Sequence, residues 1–110
     1  MKHNHSIEWL LQKFFALAFL FILITILYFL KDVDLKNYES TILWFKNFWN
    51  SFLILILFFC IIFHSNIGLT SIIDDYLHSE RVKKMAIVFK NFLFVTILFS
   101  VTLSIGSIVF

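Results

Sequence analysis

Four residues with the potential to hold a cofactor occur at helical intervals after the long apolar run 52–63. At offsets of 0, +4, +7 and +11 stand His64, Gly68, Ser71 and Asp75. These offsets return to one face of an α-helix. Ionisable residues are costly at membrane depth, so an imidazole placed there is a functional candidate.

This face presents a possible buried ligand, His64, and polar residues at its far end. Neutral imidazole binds haem iron or another metal well, and Gly68 leaves space for a flat macrocycle against the helix. Asp75 and the neighbouring Tyr76 suit a polar, proton-accepting small molecule. A zinc site is not indicated, because no second His, Cys or carboxylate follows His64 after three or four residues.

Each of these residues also has an ordinary structural interpretation. His64 can donate a hydrogen bond to a neighbouring helix, and Gly68 is of a type common in membrane helices. Asp75 and Tyr76 can form a solvated helix end. Lys13, at the start of the first apolar run, suits an interfacial lysine as well as a partner for a buried anion such as a haem propionate.

The composition indicates an all-α membrane protein. Of 110 residues, 61% are hydrophobic and 15% are charged, which leaves room for about three spans of roughly 20 residues each. The predicted spans are 9–30, 49–73 and 85–110, within one domain, 1–110. The net charge of +2 argues against a nucleic-acid partner, and the single Cys60 argues against a disulfide framework. Three spans barely enclose a core, so we expect a membrane partner.

The connections predict the orientation. Residues 41–50 are aromatic and amphipathic, which suits the headgroup layer or a lead-in to the second helix. Basic residues are more numerous on the side of the N-terminus and the second connection, six against three. The six are Lys2, Lys13, Arg81, Lys83, Lys84 and Lys90, and the three are Lys31, Lys36 and Lys46. The excess places the N-terminus and Tyr76 on the matrix or cytoplasmic side.

The amino-acid bias and the third span add two expectations. Sixteen Phe, two Gly and no Pro indicate A/T-rich coding DNA, as in many mitochondrial genomes and some intracellular bacteria. No transit-peptide pattern precedes the first span, which fits synthesis inside an organelle or a bacterium. Small residues in the third span suit close helix packing: Thr96, Ser100, Thr102, Ser104 and Gly106.

The chain resembles the small, D-type membrane anchor subunit of succinate dehydrogenase, respiratory complex II. The second span of that family carries a His, a Gly four residues later, and an Asp-Tyr pair eleven and twelve residues after the His. Here these positions are His64, Gly68, Asp75 and Tyr76. The family also carries Trp-x-x-Gln-Arg before its first span. Here the corresponding residues are Trp9, Gln12 and Lys13, with Lys in the place of Arg.

The resemblance implies roles for these residues. His64 is expected to be an axial ligand of haem b, with Gly68, Ser71 and Lys13 in the haem environment. Tyr76 is expected to donate a hydrogen bond to a ubiquinone carbonyl, and Asp75 is expected to tune the site and its protonation. Lys13 keeps the charge of the family's Arg but lacks its bidentate fork.

The resemblance also implies partners and a location. The second haem ligand comes from the larger, C-type anchor subunit, while FAD and iron–sulfur clusters belong to a flavoprotein and an iron–sulfur subunit. This chain alone then contains no catalytic residue and serves electron transfer from succinate to ubiquinone. The expected location is the mitochondrial inner membrane with the N-terminus in the matrix, or a bacterial inner membrane. The alternative is a cofactor-free structural or assembly subunit of another respiratory membrane complex.

Overall fold

The computed structural model describes residues 5–110, and all regular secondary structure in this part of the chain is α-helix, without a strand. Three of its helices are long and apolar enough to cross a membrane. The all-α prediction is therefore confirmed, and each long helix extends the predicted span. The helices are α1 His5–Leu30, α2 Tyr38–Lys46, α3 Phe48–Tyr76 and α4 Glu80–Val109.

Two asparagines define the short helix α2. The side chain of Asn37 accepts a hydrogen bond from the backbone N–H of Ser40 at 3.2 Å, which caps the start of α2. Asn47 ends α2 in an extended conformation, and its side chain accepts from the N–H of Trp49 at 3.0 Å to start α3. The aromatic segment before the second span is thus a separate helix rather than a continuous lead-in.

Helix α3 is the centre of the arrangement. It contacts α1, α2 and α4, whereas the described parts of α1 and α4 have no Cα atoms within 8 Å of each other. Helix α2 packs on α3 and α4 at the end where α3 begins. Different faces of α3 are therefore positioned by different neighbouring helices.

The apolar core lies at the α2 end of the bundle. Ile26 of α1, Trp44 of α2 and Leu57 of α3 form a buried cluster. Most other large apolar side chains point outward, as Phe21 and Phe92 do with 73% and 70% exposure. Such outward apolar faces are those expected of helices that contact lipid and a partner chain.

The small residues of α4 contact α3 only in part. Thr102 and Gly106 line a cavity shared with α3, but Thr96, Ser100 and Ser104 are exposed. The hydroxyls of Thr96 and Thr102 donate to carbonyls one turn back in α4, at 2.7 and 2.8 Å. These hydrogen bonds satisfy the hydroxyls within their own helix, so the exposed small residues remain available for close packing with another helix.

The core cluster predicts a difference between two isoleucines of α1. Ile26 is 2% exposed and Ile24 is 59% exposed. We expect Ile26→Ala to lower the thermal midpoint of the purified membrane complex, and Ile24→Ala to leave it nearly unchanged. The loss should be smaller than the ~2–5 kcal/mol of soluble cores, because lipid is as apolar as the core. Equal midpoints for the two variants would contradict this assignment of the core.

Candidate functional site

His64 is held by the backbone of α1. It is half-buried in α3, and its Nδ1 lies 3.0 Å from the carbonyl oxygen of Gln12. A carbonyl oxygen only accepts, so Nδ1 of the neutral ring carries the proton and donates it. The lone pair of Nε2 is then available for a metal. Ligand histidines in proteins are oriented by this same type of second contact.

Gly68 allows α1 to approach α3 one turn beyond His64. A Cβ atom added at Gly68 would lie 3.1 Å from Nε2 of the Gln12 side chain, which is tighter than an ordinary contact. Gln12 therefore meets α3 twice, through its carbonyl at His64 and through its amide at Gly68. The space predicted above the glycine is occupied here by this amide.

A polar cavity continues the same face of α3 toward the aqueous end. It has a volume of about 200 Å³ and is lined by Glu8, Trp9, Gln12, Ile67 and Ser71. The Trp and Gln before the first span thus meet the stripe of the second span in space. Trp9 and Gln12 of the first motif and the first part of the α3 stripe, far apart in the chain, therefore lie next to each other.

Asp75 and Tyr76 lie outside this cavity, in the last turn of α3. Both are exposed, Tyr76 by 75%. Eleven residues of unbroken helix separate Asp75 from His64, a rise of ~16 Å. A carboxylate at a helix C-terminus opposes the helix dipole, and the last turn of α3 contains no basic residue. Departures from such local rules are expected at functional positions.

Lys13 lies on the outer surface of α1. It is exposed, and its ammonium is 5.9 Å from the centre of the Trp9 ring. The structure does not bring Lys13 into the cavity that contains Gln12 and Ser71. Its predicted place beside a haem propionate therefore remains a prediction.

Sequence reasoning missed a second polar cluster on another face of α3. Lys90 of α4 is 7% exposed, and its ammonium donates to Oδ1 of Asn66 at 2.7 Å and to Oγ1 of Thr70 at 2.8 Å. Lys90 is one of the six basic residues from which the orientation was predicted. Without Lys90 the sequence has five basic residues against three, and one of the five, Lys2, lies outside the described residues. The four-residue spacing of Asn66 and Thr70 was the signal available in the sequence.

The donor set of the site is a single imidazole. Among residues 5–110, no group of three or more His, Cys, Asp or Glu side chains converges in a way that could hold a metal ion. A haem needs only one axial ligand from each of two helices, so one oriented histidine fits a haem shared with a partner chain.

Comparison with known protein families identifies the family of this chain. The family of the succinate dehydrogenase/fumarate reductase transmembrane subunit matches residues 1–99. The chain belongs to this family. The match includes both motifs of the site and all of α1, α2 and α3. Searches of curated proteins and of solved structures gave no match.

The Gln12 contact predicts how the two glycines of the chain respond to a larger side chain. We expect Gly68→Leu to separate α1 from α3 and to lower the thermal midpoint of the purified complex. Gly106→Leu should lower the thermal midpoint much less, since a Cβ atom there meets nothing within 4 Å. Adding Gln12→Ala to Gly68→Leu should raise the midpoint again in part, because it removes the amide that the larger side chain displaces. The same loss at both glycines would contradict the close approach at Gly68.

Proposed function

We propose that this chain is a membrane anchor subunit of succinate:ubiquinone oxidoreductase that helps to bind haem b and ubiquinone. Membership of the succinate dehydrogenase/fumarate reductase transmembrane family supports the complex. The observation that carries the cofactor role is the hydrogen bond from Nδ1 of His64 to the Gln12 carbonyl. It orients the ring and keeps Nε2 free of a proton, which is the state that iron requires.

The haem would be shared between two chains. His64 would supply one axial ligand through Nε2, and the larger C-type anchor subunit would supply the other. Gly68 and Ser71 lie on the same face of α3 and belong to the surroundings of the cofactor. Lys13 presents its ammonium on the outside of α1, where it can meet a propionate at an interface with the partner. When bound, haem b supplies a one-electron carrier.

Ubiquinone would be bound at the end of α3. The phenol of Tyr76 can donate to a quinone carbonyl, and the Asp75 carboxylate can hold a proton beside it. Reduction of a quinone requires two protons, so a site at the aqueous edge is favoured. Because Tyr76 is 75% exposed, the partner subunits must enclose the rest of the quinone site.

The remaining chemistry would belong to partners. FAD and the iron–sulfur clusters would lie in the flavoprotein and iron–sulfur subunits, which this single membrane domain, 1–110, attaches to the bilayer. The chain alone then performs no catalysis. The proposed location is the mitochondrial inner membrane, with several spans and the N-terminus in the matrix, and the alternative is a bacterial inner membrane.

One observation also favours a second candidate function. The contact with Gln12 already gives His64 a hydrogen-bond partner, which is all that a structural histidine between two helices requires. The chain would then be a structural subunit that holds no cofactor, within a complex of the same family.

Replacement of His64 separates the two candidates. A tagged chain should co-purify with a flavoprotein and an iron–sulfur subunit, and the complex should show a b-type band in its reduced-minus-oxidised spectrum. His64→Ala should abolish this band, because one axial ligand is lost. The matched control is His78→Ala, at an exposed position between α3 and α4, which should keep the band. An unchanged spectrum in His64→Ala would remove haem ligation by His64 and favour the second candidate, and a complex without flavoprotein would contradict the proposed enzyme.

Replacement of Tyr76 tests the quinone role. Loss of one hydrogen bond of about 0.5–1.5 kcal/mol should lower kcat/KM for quinone reduction about 2- to 10-fold in Tyr76→Phe. Succinate oxidation with an artificial acceptor at the soluble subunits should survive. Tyr28→Phe is the control, since Tyr28 is similarly exposed near the opposite end of the bundle. If quinone reduction stays normal in Tyr76→Phe, Tyr76 is not at the quinone site.

A further inference from the structure

Lys90 is a charged side chain at a depth where charges are costly. It lies ten residues after the start of α4 at Glu80, a rise of ~15 Å along a helix that can span the membrane. Among residues 6–110 it is the one charged side chain that the structure buries. Charged residues within membrane helices are rare and are usually retained for a function, together with specific partners.

The partners of Lys90 are two neutral oxygens on successive turns of α3. Its ammonium donates to the Asn66 amide and the Thr70 hydroxyl, at 2.7 and 2.8 Å. A cavity of about 140 Å³ adjoins these two acceptors and is also lined by Glu8 and Ile67. This cavity can hold water near the ammonium. These charge-assisted hydrogen bonds therefore connect one point of α4 to two successive turns of α3.

These two acceptors lie on the turns of α3 that carry the candidate site. Asn66 is two residues after His64, and Thr70 is two residues after Gly68. Two residues correspond to a rotation of ~200° around a helix, so the acceptors lie on roughly the opposite side of α3 from the histidine and the glycine. Gln12 holds these turns from the side of α1, and Lys90 holds them from the side of α4.

The rest of α4 provides little to define its rotation. Apolar residues occupy both its outward and its inward face, since Phe89 and Phe92 are exposed whereas Ile105 is buried. In lipid, burial of one apolar face rather than another brings little gain, so polar contacts and close packing decide which faces meet. A buried polar residue is well suited to specify register in such a case.

We propose that Lys90 is a positioning residue that sets the rotation and register of α4 on α3 and thereby fixes the turns of α3 that present His64 and Gly68. Its effect on a haem rests on the proposed function, whereas its effect on the helix pair does not. Lys90 contacts α3 through Asn66 and Thr70, and the carboxylate of Asp74, one turn after Thr70, also interacts with its charge.

Cysteine cross-linking in the purified complex measures the rotation directly. In a Cys60→Ala background, Leu55→Cys of α3 is combined either with Thr102→Cys or with Leu103→Cys of α4. Leu55 and Thr102 line one cavity between the two helices, and Leu103 lies outside this cavity. A short bifunctional thiol reagent is applied, and the two intrachain links are quantified by peptide mass spectrometry. Their ratio reports rotation independently of the amount of protein.

Lys90→Met keeps an unbranched side chain of similar length and removes the charge. The ratio of the 55–102 link to the 55–103 link should fall at least about threefold, the population change from the loss of a single interhelical hydrogen bond in a membrane. Lys90→Arg should restore part of the wild-type ratio. Lys84→Met, at an exposed lysine of the same helix, is the control and should leave the ratio unchanged. An unchanged ratio in Lys90→Met overturns the proposal.

Two further measurements make the outcome decisive. If Lys90→Met does not accumulate in the complex, Thr70→Val is tested instead, because it removes one acceptor at nearly constant shape. An unchanged ratio in Thr70→Val also overturns the proposal.

The b-type spectrum is recorded for the same variants. A shifted band in Lys90→Met but not in Lys84→Met supports positioning of His64, and an unshifted band refutes that part. If the native complex lacks a b-type band, the proposed function fails, while the cross-linking result still decides the role of Lys90 in the helix pair.

Discussion

The contact between Gln12 of α1 and the turns of α3 at His64 and Gly68 determines the geometry of the whole site. A bilayer gives apolar helices little reason to prefer one face over another, so hydrogen bonds and close backbone approach decide how they meet. Gln12 provides both, through its carbonyl and its side chain. Without this contact, neither the tautomer of His64 nor the cavity next to Ser71 would be defined.

Helix α3 combines three environments along one continuous rod. One face meets α1 and carries the candidate ligand, another meets α4 and accepts from Lys90, and the end carries Asp75 and Tyr76 in the open. The two faces of α3 are fixed by separate contacts, with Gln12 of α1 on one and Lys90 of α4 on the other. Under the proposed function, this single helix would connect a buried cofactor with a substrate site at the aqueous edge.

The outward surface of the bundle explains why this chain belongs in a larger assembly. Large apolar side chains such as Phe21 and Phe92 are mostly exposed, and the buried core is a small cluster around Ile26. Tyr76 is exposed as well. A fold with so little interior encloses no complete site by itself, which agrees with membership of a family of transmembrane subunits in an oxidoreductase complex.

The sequence by itself determined what depends on local geometry. Long apolar runs predict the three spanning helices, and the period of 3.6 residues places His64 and Gly68 on one face of α3. It did not separate α2 from α3, because that break depends on the capping conformation of Asn47. Only the tertiary structure decided that Gln12 meets His64 across 52 residues and that Lys90 is buried rather than interfacial. The rotation of each helix depends on the few polar contacts made by its neighbours, and such contacts are not written in the pattern of any one helix.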